Sequence, residues 1–342
     1  MSALAHRIGG AICIAALLSA GAGSASAQPI ELKLGDFQSL QHVQSREGTQ
    51  WFMKEVERRT NAKVKFVHFP AEQAAKARGL LDAAKSGVVD IALVGTLYNA
   101  DRLPLNSVIG LPGLGESAAA ASKALDKLVE KGPLHDEFAA EGVEPLFAYA
   151  LTPYQILLRN KPVSMPKDWN GMKIRTGGTT QALTVRAFGA AGINLPGPEV
   201  YTAVERGTVD GVLFPIPSVP GYNLQEVVKY ISTNGSFGNF GMTVVMNKAA
   251  YAKLPDDVRK VMAEVGDETS QRVAKAQDDS TNALLSEWKA KGITLIAFSA
   301  AEQKAYVDAM RSVGDDWVSR IGKQHPGAKQ VLQSFEEAVE AK

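Results

Sequence analysis

The sequence predicts an α/β protein made of two similar lobes that one long helix connects. Strand and helix patterns alternate along the chain, which is typical of parallel sheets with crossover helices. A helix, a glycine and a strand with an aspartate at its start occur twice, at Gly87-Val-Val-Asp90 and Gly207-Thr-Val-Asp210. Residues 255–291 contain no proline after the first position, and therefore predict a helix on the order of 55 Å, longer than a small domain is wide.

The N-terminus has the pattern of a cleaved secretory signal peptide at 1–27. His6 and Arg7 precede an apolar run at 8–18, and Ala25-Ser-Ala27 is a small-x-small cleavage site. No later segment offers 18 consecutive apolar residues, the length that a membrane span needs. We therefore expect a soluble, monomeric protein in the periplasm.

Composition excludes several classes of function. The single cysteine, Cys13, lies in the predicted signal peptide, so the exported chain can have no disulfide, cysteine nucleophile or thiolate metal site. The 37 Lys and Arg nearly balance the 36 Asp and Glu, and no basic tract suggests nucleic acid or an anionic membrane as a partner. The chain is long enough for two domains with sizeable cores.

The first half predicts one α/β lobe. Strands are predicted at 31–35, 63–69 and 89–95, and helices at 46–60 and 74–85. The glycine-rich segment 113–115, before an alanine-rich helix that ends near 131, matches a dinucleotide fingerprint on paper. Gly110 and Pro112 interrupt the strand that should precede such a fingerprint, so a loop and a helix start are the better interpretation.

The second half repeats this plan. Two apolar runs between 144 and 158 predict strands that cross to a second lobe, with strands at 170–178, 193–195 and 209–214 and helices at 182–188 and 198–207. Residues 241–247 predict a return strand, and Ser299 with Glu302 forms a capping box before a last amphipathic helix through Trp317. The division is lobe I, 28–152 plus 240–279, and lobe II, 153–239 plus 280–342.

Arg175 is the main candidate for ligand binding. Residues 172–175 predict a short strand that ends in this cation, and Gly177 and Gly178 then allow the backbone to approach a ligand closely. A planar guanidinium binds a carboxylate through two parallel hydrogen bonds, so the arrangement suits an organic acid. The alternative role for Arg175 is a structural ion pair.

Motifs for catalysis do not occur. The sequence has no Gly-x-Ser-x-Gly elbow and no Walker loop. His42, His68, His135 and His325 are scattered singly, without the spacing of a helical zinc pair. The carboxylates are spread evenly, and no acid and base pair stands out. A binding protein without a metal site is therefore favoured over an enzyme.

Several ordered motifs together resemble a known family. They are Leu32-Lys-Leu-Gly35, Lys85-Ser-Gly-Val-Val-Asp-Ile-Ala-Leu-Val94, Asn170-Gly-Met-Lys-Ile-Arg175, Glu199-Val-Tyr-Thr-Ala203, Val209-Asp-Gly211 and Leu254-Pro-Asp-Asp257. The chain resembles the extracytoplasmic solute receptors of tripartite ATP-independent periplasmic (TRAP) transporters, of the dicarboxylate-binding DctP type.

This resemblance implies a periplasmic-binding-protein-like clamshell in which Arg175 binds the carboxylate of a substrate and the lobes close over it. It also implies two partners, a small and a large membrane subunit, uptake driven by a sodium gradient, and a receptor without a cofactor. Further candidates for ligand contact, each with a loop role as the alternative, are Gln38, Gly95, Thr96, Tyr154 and Gln155.

Three positions depart from the family pattern. Phe214 stands where the family commonly has a ligand-binding Asn, Gly197 where a bulky aromatic is frequent, and Gln155 where sialic-acid receptors carry a second Arg. Buried polar groups of a sugar acid would remain unpaired against Phe214. The departures predict a monocarboxylate with an apolar or aromatic body, placed in the space over Gly197 and near Phe214.

Two other functions are compatible with these motifs. A periplasmic sensor module could use the same closure to report to a histidine kinase, and neighbouring genes would separate this role from transport. An exported lyase or hydrolase on the same fold would need an acid and base pair, and would be revealed by turnover of the bound acid.

Overall fold

The computed structural model describes residues 28–340, so the predicted signal peptide with Cys13 lies outside the described residues. The strands are β1 Ile30–Gly35, β2 Val64–Phe69, β3 Ile91–Gly95, β4 Val143–Ala150, β5 Gln155–Leu158, β6 Lys173–Thr176, β7 Ala191–Asn194, β8 Gly211–Phe214, β9 Tyr230–Ser232, β10 Gly241–Asn247 and β11 Thr294–Ile296. The helices are α1 Gln50–Arg59, α2 Leu80–Lys85, α3 Ala118–Glu130, α4 Pro133–Ala140, α5 Thr179–Ala187, α6 Gly197–Glu205, α7 Lys248–Ala252, α8 Asp256–Ala290, α9 Ala300–Met310, α10 Val313–Ile321 and α11 Ala328–Glu340.

Two sheets form the centres of two lobes, as the sequence predicts. The first has the strand order β2-β1-β3-β10-β4, and the second has the order β11-β9-β5-β8-β6-β7. In the first sheet β1 pairs in parallel with β2 and β3, and in the second β6 pairs in parallel with β7 and β8. The return strand β10 is antiparallel to both of its neighbours. The predicted two-lobed α/β class is confirmed.

The repeated glycine and aspartate segment has the same role in both sheets. The Asp90 carboxylate accepts a hydrogen bond of 2.8 Å from the Lys33 amide, and the Asp210 carboxylate accepts one of 2.8 Å from the Lys173 amide. In each case the aspartate precedes a buried strand, β3 or β8, and is bonded to the neighbouring parallel strand. The repeat therefore sets the register of the two strands whose carboxyl ends lead to the cleft.

Two paired segments connect the lobes. The chain crosses once between β4 and β5 and returns between β9 and β10. The Leu151 amide donates to the Phe240 carbonyl at 2.9 Å, and the Tyr154 amide donates to the Gly238 carbonyl at 2.8 Å. These bonds pair the two crossing segments as a short ribbon between the lobes.

Helix α8 spans both lobes over 35 residues. Its first half packs on β4 and α3, and its later part contacts β11 and the turn Ile216–Ser218. Gly266 allows the close approach to β4, because a Cβ there would lie 3.1 Å from the Leu146 carbonyl oxygen. Trp288, near its end, is buried in the core of the second lobe. The predicted bridging helix is confirmed, to within one residue at each end.

The N-terminus of helix α3 is hydrogen-bonded to a side chain of α8. Ser117 caps the helix, and the Asp278 carboxylate of α8 accepts hydrogen bonds from the Ala118 and Ala119 amides at 2.9 and 3.0 Å. These are the amides that a phosphate would use at a helix start. The glycine-rich segment before α3 is thus a loop and helix start, as expected.

The C-terminal segment differs from the single helix that the sequence predicts after Ser299. It forms α9, α10 and α11, with a break after Met310 and another around Pro326. Trp317 of α10 donates from Nε1 to the Ser107 hydroxyl at 2.8 Å, and α11 packs on α3. The segment therefore reaches back to the first lobe. The lobe boundaries given above stay a prediction.

Candidate functional site

Arg175 is the third residue of β6, which lies between β7 and β8, and its side chain is fully buried. Its Nε donates to the Leu195 carbonyl at 2.8 Å and its Nη1 donates to the Leu213 carbonyl at 3.1 Å. Its Nη2 has no hydrogen-bond partner among residues 28–340. Both partners are neutral carbonyl oxygens, so they hold the guanidinium in place without an opposite charge.

Two aromatic residues lie against this cation. The Phe214 ring centroid is 5.1 Å from Arg175 Cζ, a cation–π distance. The Tyr154 and Phe214 rings are 6.2 Å apart. Burial raises the pKa of the Tyr154 hydroxyl, although the nearby Arg175 acts in the opposite direction. Tyr154 is therefore neutral and can donate a hydrogen bond to an anion beside Arg175.

A small cavity of about 20 Å³ lies in front of these residues, between the lobes. This volume corresponds to roughly one water molecule. Six rings line it, those of Phe37, Tyr98, Tyr154, Phe214, Tyr222 and Phe240. Arg175 lies behind Phe214 and is not part of the lining. A ring-sized acid can enter only when the lobes separate or these side chains rotate.

The lobes are in direct contact around the cavity. Gln44 Nε2 donates to the Ser218 hydroxyl at 2.8 Å, and the Gly197 amide donates to the Tyr98 hydroxyl at 2.9 Å. The His42 and Tyr222 rings meet edge to face at 5.1 Å. Burial lowers the pKa of His42 to about 4, so its ring is neutral near pH 7. The structure thus represents a closed form.

The structure brings only some of the predicted residues to the cavity. Gln38, Tyr154 and Phe214 line it, and Gly95 lies below, where a Cβ would be 2.7 Å from the Tyr98 ring. Thr96 does not line it, and its hydroxyl donates to the Gly241 carbonyl at 3.2 Å. Gly95 is the last residue of β3, so the carboxyl end of this strand places it below the cavity.

Gln155 also lies away from the cavity. Its Nε2 donates to the Gly235 carbonyl at 2.7 Å, and its Oε1 accepts from the Ser232 hydroxyl and the Gly235 amide, both at 2.8 Å. The side chain faces a different cavity, on the side of α9. Its amide is thus fully used to hold the crossing segment, which gives it a structural role here.

The Tyr222 side chain fills the space next to Gly197 that the sequence analysis assigns to a ligand. A Cβ on Gly197 would lie 2.7 Å from the Tyr222 hydroxyl oxygen and 2.8 Å from its Cζ. The glycine therefore accommodates a tyrosine from another segment, and the expected free space for a ligand is absent from this closed form. Sequence reasoning missed aromatic and polar residues of the cavity wall and of the contact between the lobes, among them Phe37, Tyr98, Tyr222, Phe240, His42 and Gln44.

A larger cavity, of about 650 Å³, lies outside the cleft between α3, β4 and α8. Asp126 of α3 lines it and accepts a hydrogen bond of 2.7 Å from the Ala148 amide. Burial, together with the neighbouring carboxylates of Asp267 and Glu130, raises the pKa of Asp126 to about 7, although the hydrogen bonds from the Ala148 amide and the Ser270 hydroxyl act in the opposite direction. Within residues 28–340, no group of three or more His, Asp or Glu side chains is placed to hold a metal ion.

The raised pKa of Asp126 predicts a pH-dependent stability. Between about pH 4 and pH 7 the folded protein binds this proton and the unfolded chain does not, so stability falls as pH rises through that window. Asp126→Asn keeps an acceptor for the Ala148 amide and removes this dependence. We expect it to raise the free energy of unfolding at pH 8 by about 1–3 kcal/mol.

Urea unfolding at pH 5 and pH 8 measures this effect. Asp315→Asn, at an exposed position of α10, is the matched control and should follow the wild type. Parallel pH curves for the wild type and Asp126→Asn would contradict the assignment.

Comparison with known proteins decides the family. Residues 35–320 match the model of the bacterial extracellular solute-binding proteins, family 7, DctP. The chain belongs to this family. This DctP-family chain is a TRAP extracytoplasmic solute receptor. Among residues 28–340, none of the helices is long and apolar enough to cross a membrane.

Relatives of this receptor cover nearly its whole length. It is 28% identical over 330 residues to the C4-dicarboxylate-binding periplasmic protein DctP of Rhodobacter capsulatus, across 94% of this chain and 96% of that protein. A TRAP solute-binding protein from Rhodoferax ferrireducens, solved with copurified benzoate, matches with a TM-score of 0.85 and 26% identity, over 91% of this chain and 97% of that one. A TRAP solute-binding protein from Bordetella bronchiseptica, solved with (R)- and (S)-mandelate, matches with a TM-score of 0.83 and 26% identity, over 91% and 99%.

Proposed function

We propose that this receptor binds a monocarboxylate with an aromatic body and passes it to small and large TRAP membrane subunits for sodium-driven uptake. The observation that carries the proposal is the free Nη2 of Arg175, a buried cationic donor without a partner among residues 28–340. A buried charge without an anionic partner is costly. A ligand carboxylate would supply both the missing acceptor and the missing negative charge.

The cavity favours one carboxylate over two. None of the described residues that line it carries a charge, and half of them are aromatic. A second carboxylate would be buried there without a cation, which is costly, whereas burial of an aromatic ring is favourable. A planar ring instead meets the faces and edges of Phe214, Tyr154 and Phe240. The benzoate and mandelate complexes of the two structural relatives support the same class.

The mass of any acid that copurifies with the protein, together with a thermal-shift screen, tests this proposal. Ligands that bind only the folded state raise the melting temperature in proportion to the logarithm of their concentration over Kd. We expect benzoate-like acids to stabilise the protein and succinate to have little effect. Stabilisation by succinate or sialic acid, without any by apolar monocarboxylates, would overturn the proposal.

A further inference from the structure

A chain of three side-chain amides leads from the crossing segment to the cavity. Gln277 of α8 donates from Nε2 to the Ala150 carbonyl at 3.2 Å. A carbonyl oxygen can only accept, so the amino group of Gln277 must face it. The Oε1 of Gln277 is then left as the acceptor for Gln44 Nε2, at 3.3 Å. The backbone thereby fixes the orientation of the first two amides.

The same constraint passes to Gln38. Gln44 Nε2 also donates to the Ser218 hydroxyl, so Gln44 Oε1 faces Gln38 and accepts from Gln38 Nε2. The remaining atom of Gln38 is Oε1, and it has no partner among residues 28–340. Gln38 is only 2% exposed and lines the cavity. The series of three amides therefore ends in an unpaired acceptor, Gln38 Oε1. The Ala150 carbonyl sets the direction of the hydrogen bonds along the series.

A buried acceptor without a donor is destabilising. Water can supply a donor while the cleft is open, but a ring that fills the closed cleft displaces that water. The donor must then come from the ligand itself. An ammonium group is disfavoured, because the lining holds no negative charge to balance it, and a hydroxyl satisfies the acceptor without a second charge.

We propose that the ligand is a hydroxylated aromatic monocarboxylate, whose hydroxyl donates to Gln38 Oε1 while its carboxylate binds Arg175. This inference rests on the proposed function and makes Gln38 the residue that selects for the hydroxyl. Sites that hydrogen-bond a substrate hydroxyl discriminate strongly against the analogue without it, because their own polar group is left unpaired.

Calorimetry with matched acids tests the hydroxyl. The set is benzoate, its three ring-hydroxylated isomers, the corresponding fluorobenzoates, and mandelate against phenylacetate. Fluorine is close to a hydroxyl in size and cannot donate a hydrogen bond. We expect at least one hydroxylated acid to bind the wild type roughly 10- to 100-fold more tightly than both its unsubstituted parent and, for a ring position, its fluoro counterpart.

Gln38→Met tests the residue. Methionine has a similar length and lacks the acceptor, so the ratio of affinities for the hydroxylated acid and its parent should fall to about one. Any effect of the variant on closure cancels in this ratio. Gln303→Met is the matched control, because Gln303 lines the cavity near α9 and donates to the Phe298 carbonyl there, and it should keep the wild-type ratio.

The outcomes separate the two proposals. Binding of benzoate with no gain from any hydroxyl, or a gain that survives Gln38→Met, overturns the hydroxyl assignment and leaves the aromatic receptor standing. Failure of every aromatic acid to bind the wild type overturns the proposed function. If Gln38→Met binds no acid, the hydroxyl-to-fluorine ratio of the wild type decides alone.

Discussion

Replacement of Arg175 by methionine is expected to weaken the binding of an aromatic acid by about 30- to 1000-fold. The substitution removes a charge-assisted hydrogen-bonded pair, worth on the order of 2–4 kcal/mol. Nη2 is the atom that would make this pair, since Nε and Nη1 are engaged with carbonyl oxygens. Isothermal titration of each variant with the acid identified by the screen measures the effect.

The two carbonyl bonds make a stability control necessary. Arg175→Met leaves the Leu195 and Leu213 carbonyls without these donors, so its melting temperature has to be measured beside its affinity. Arg175→Lys keeps a charge without the planar fork and should bind with intermediate affinity. Arg186→Met, at an exposed position of α5, should bind like the wild type. A folded Arg175→Met protein with undiminished affinity would refute the carboxylate role.

Phe214 explains how the Arg175 cation can be buried in the closed form without an anionic partner. Its ring lies 5.1 Å from Arg175 Cζ and shares the cavity wall with Tyr154 and Tyr222. A cation–π contact partly compensates the charge in the closed form. A ligand carboxylate would bind the same cation more strongly, while the displaced ring remains available to stack on the ligand body. The loss of a polar residue at this position therefore fits an aromatic ligand.

The sequence predicts the position of the buried Arg175 cation better than it predicts the residues that line the cavity. Arg175 lies at the end of a strand with a clear local pattern, and strand ends of parallel sheets meet at one edge. Tyr98, Tyr222 and Gln44 come from short turns without a motif, and they meet only because the lobes close. Tyr222 also covers Gly197, so the Tyr222 ring fills the space that a side chain at position 197 would have taken. Such compensation depends on tertiary contact and has no local signal.

The helices show the same limit. Helix α8 was predictable because its length without proline leaves few alternatives. Helix α2 starts at Leu80 rather than near 74, since Lys76 is extended, with φ −62° and ψ 155°, after Ala71 and Glu72 have adopted positive φ angles of 52° and 62°. The Glu72 carboxylate then accepts from the Ala77 amide at 2.8 Å and holds this irregular turn. Neither residue has a local preference that predicts a left-handed conformation.

Gly221→Ala is expected to weaken binding by roughly 5- to 150-fold through an effect on closure. A Cβ on Gly221 would overlap the His42 ring of the other lobe. It would lie 2.8 Å from His42 Nε2 and 2.9 Å from His42 Cγ. Overpacking of this kind typically costs about 1–3 kcal/mol. Gly221 does not adopt a left-handed φ, so alanine introduces no strain within its own lobe. The overlap arises only when the lobes meet.

Three measurements distinguish an effect on closure from local damage. Small-angle scattering with saturating acid should show a larger radius of gyration for Gly221→Ala than for the wild type, while both melt at similar temperatures without ligand. Gly327→Ala, where a Cβ would meet no atom within 4 Å, should behave like the wild type. His42→Ala removes the obstructing ring and should restore affinity to Gly221→Ala in the double variant. Wild-type affinity in Gly221→Ala alone would show that the contact of His42 with Gly221 does not contribute to the closed, ligand-bound form.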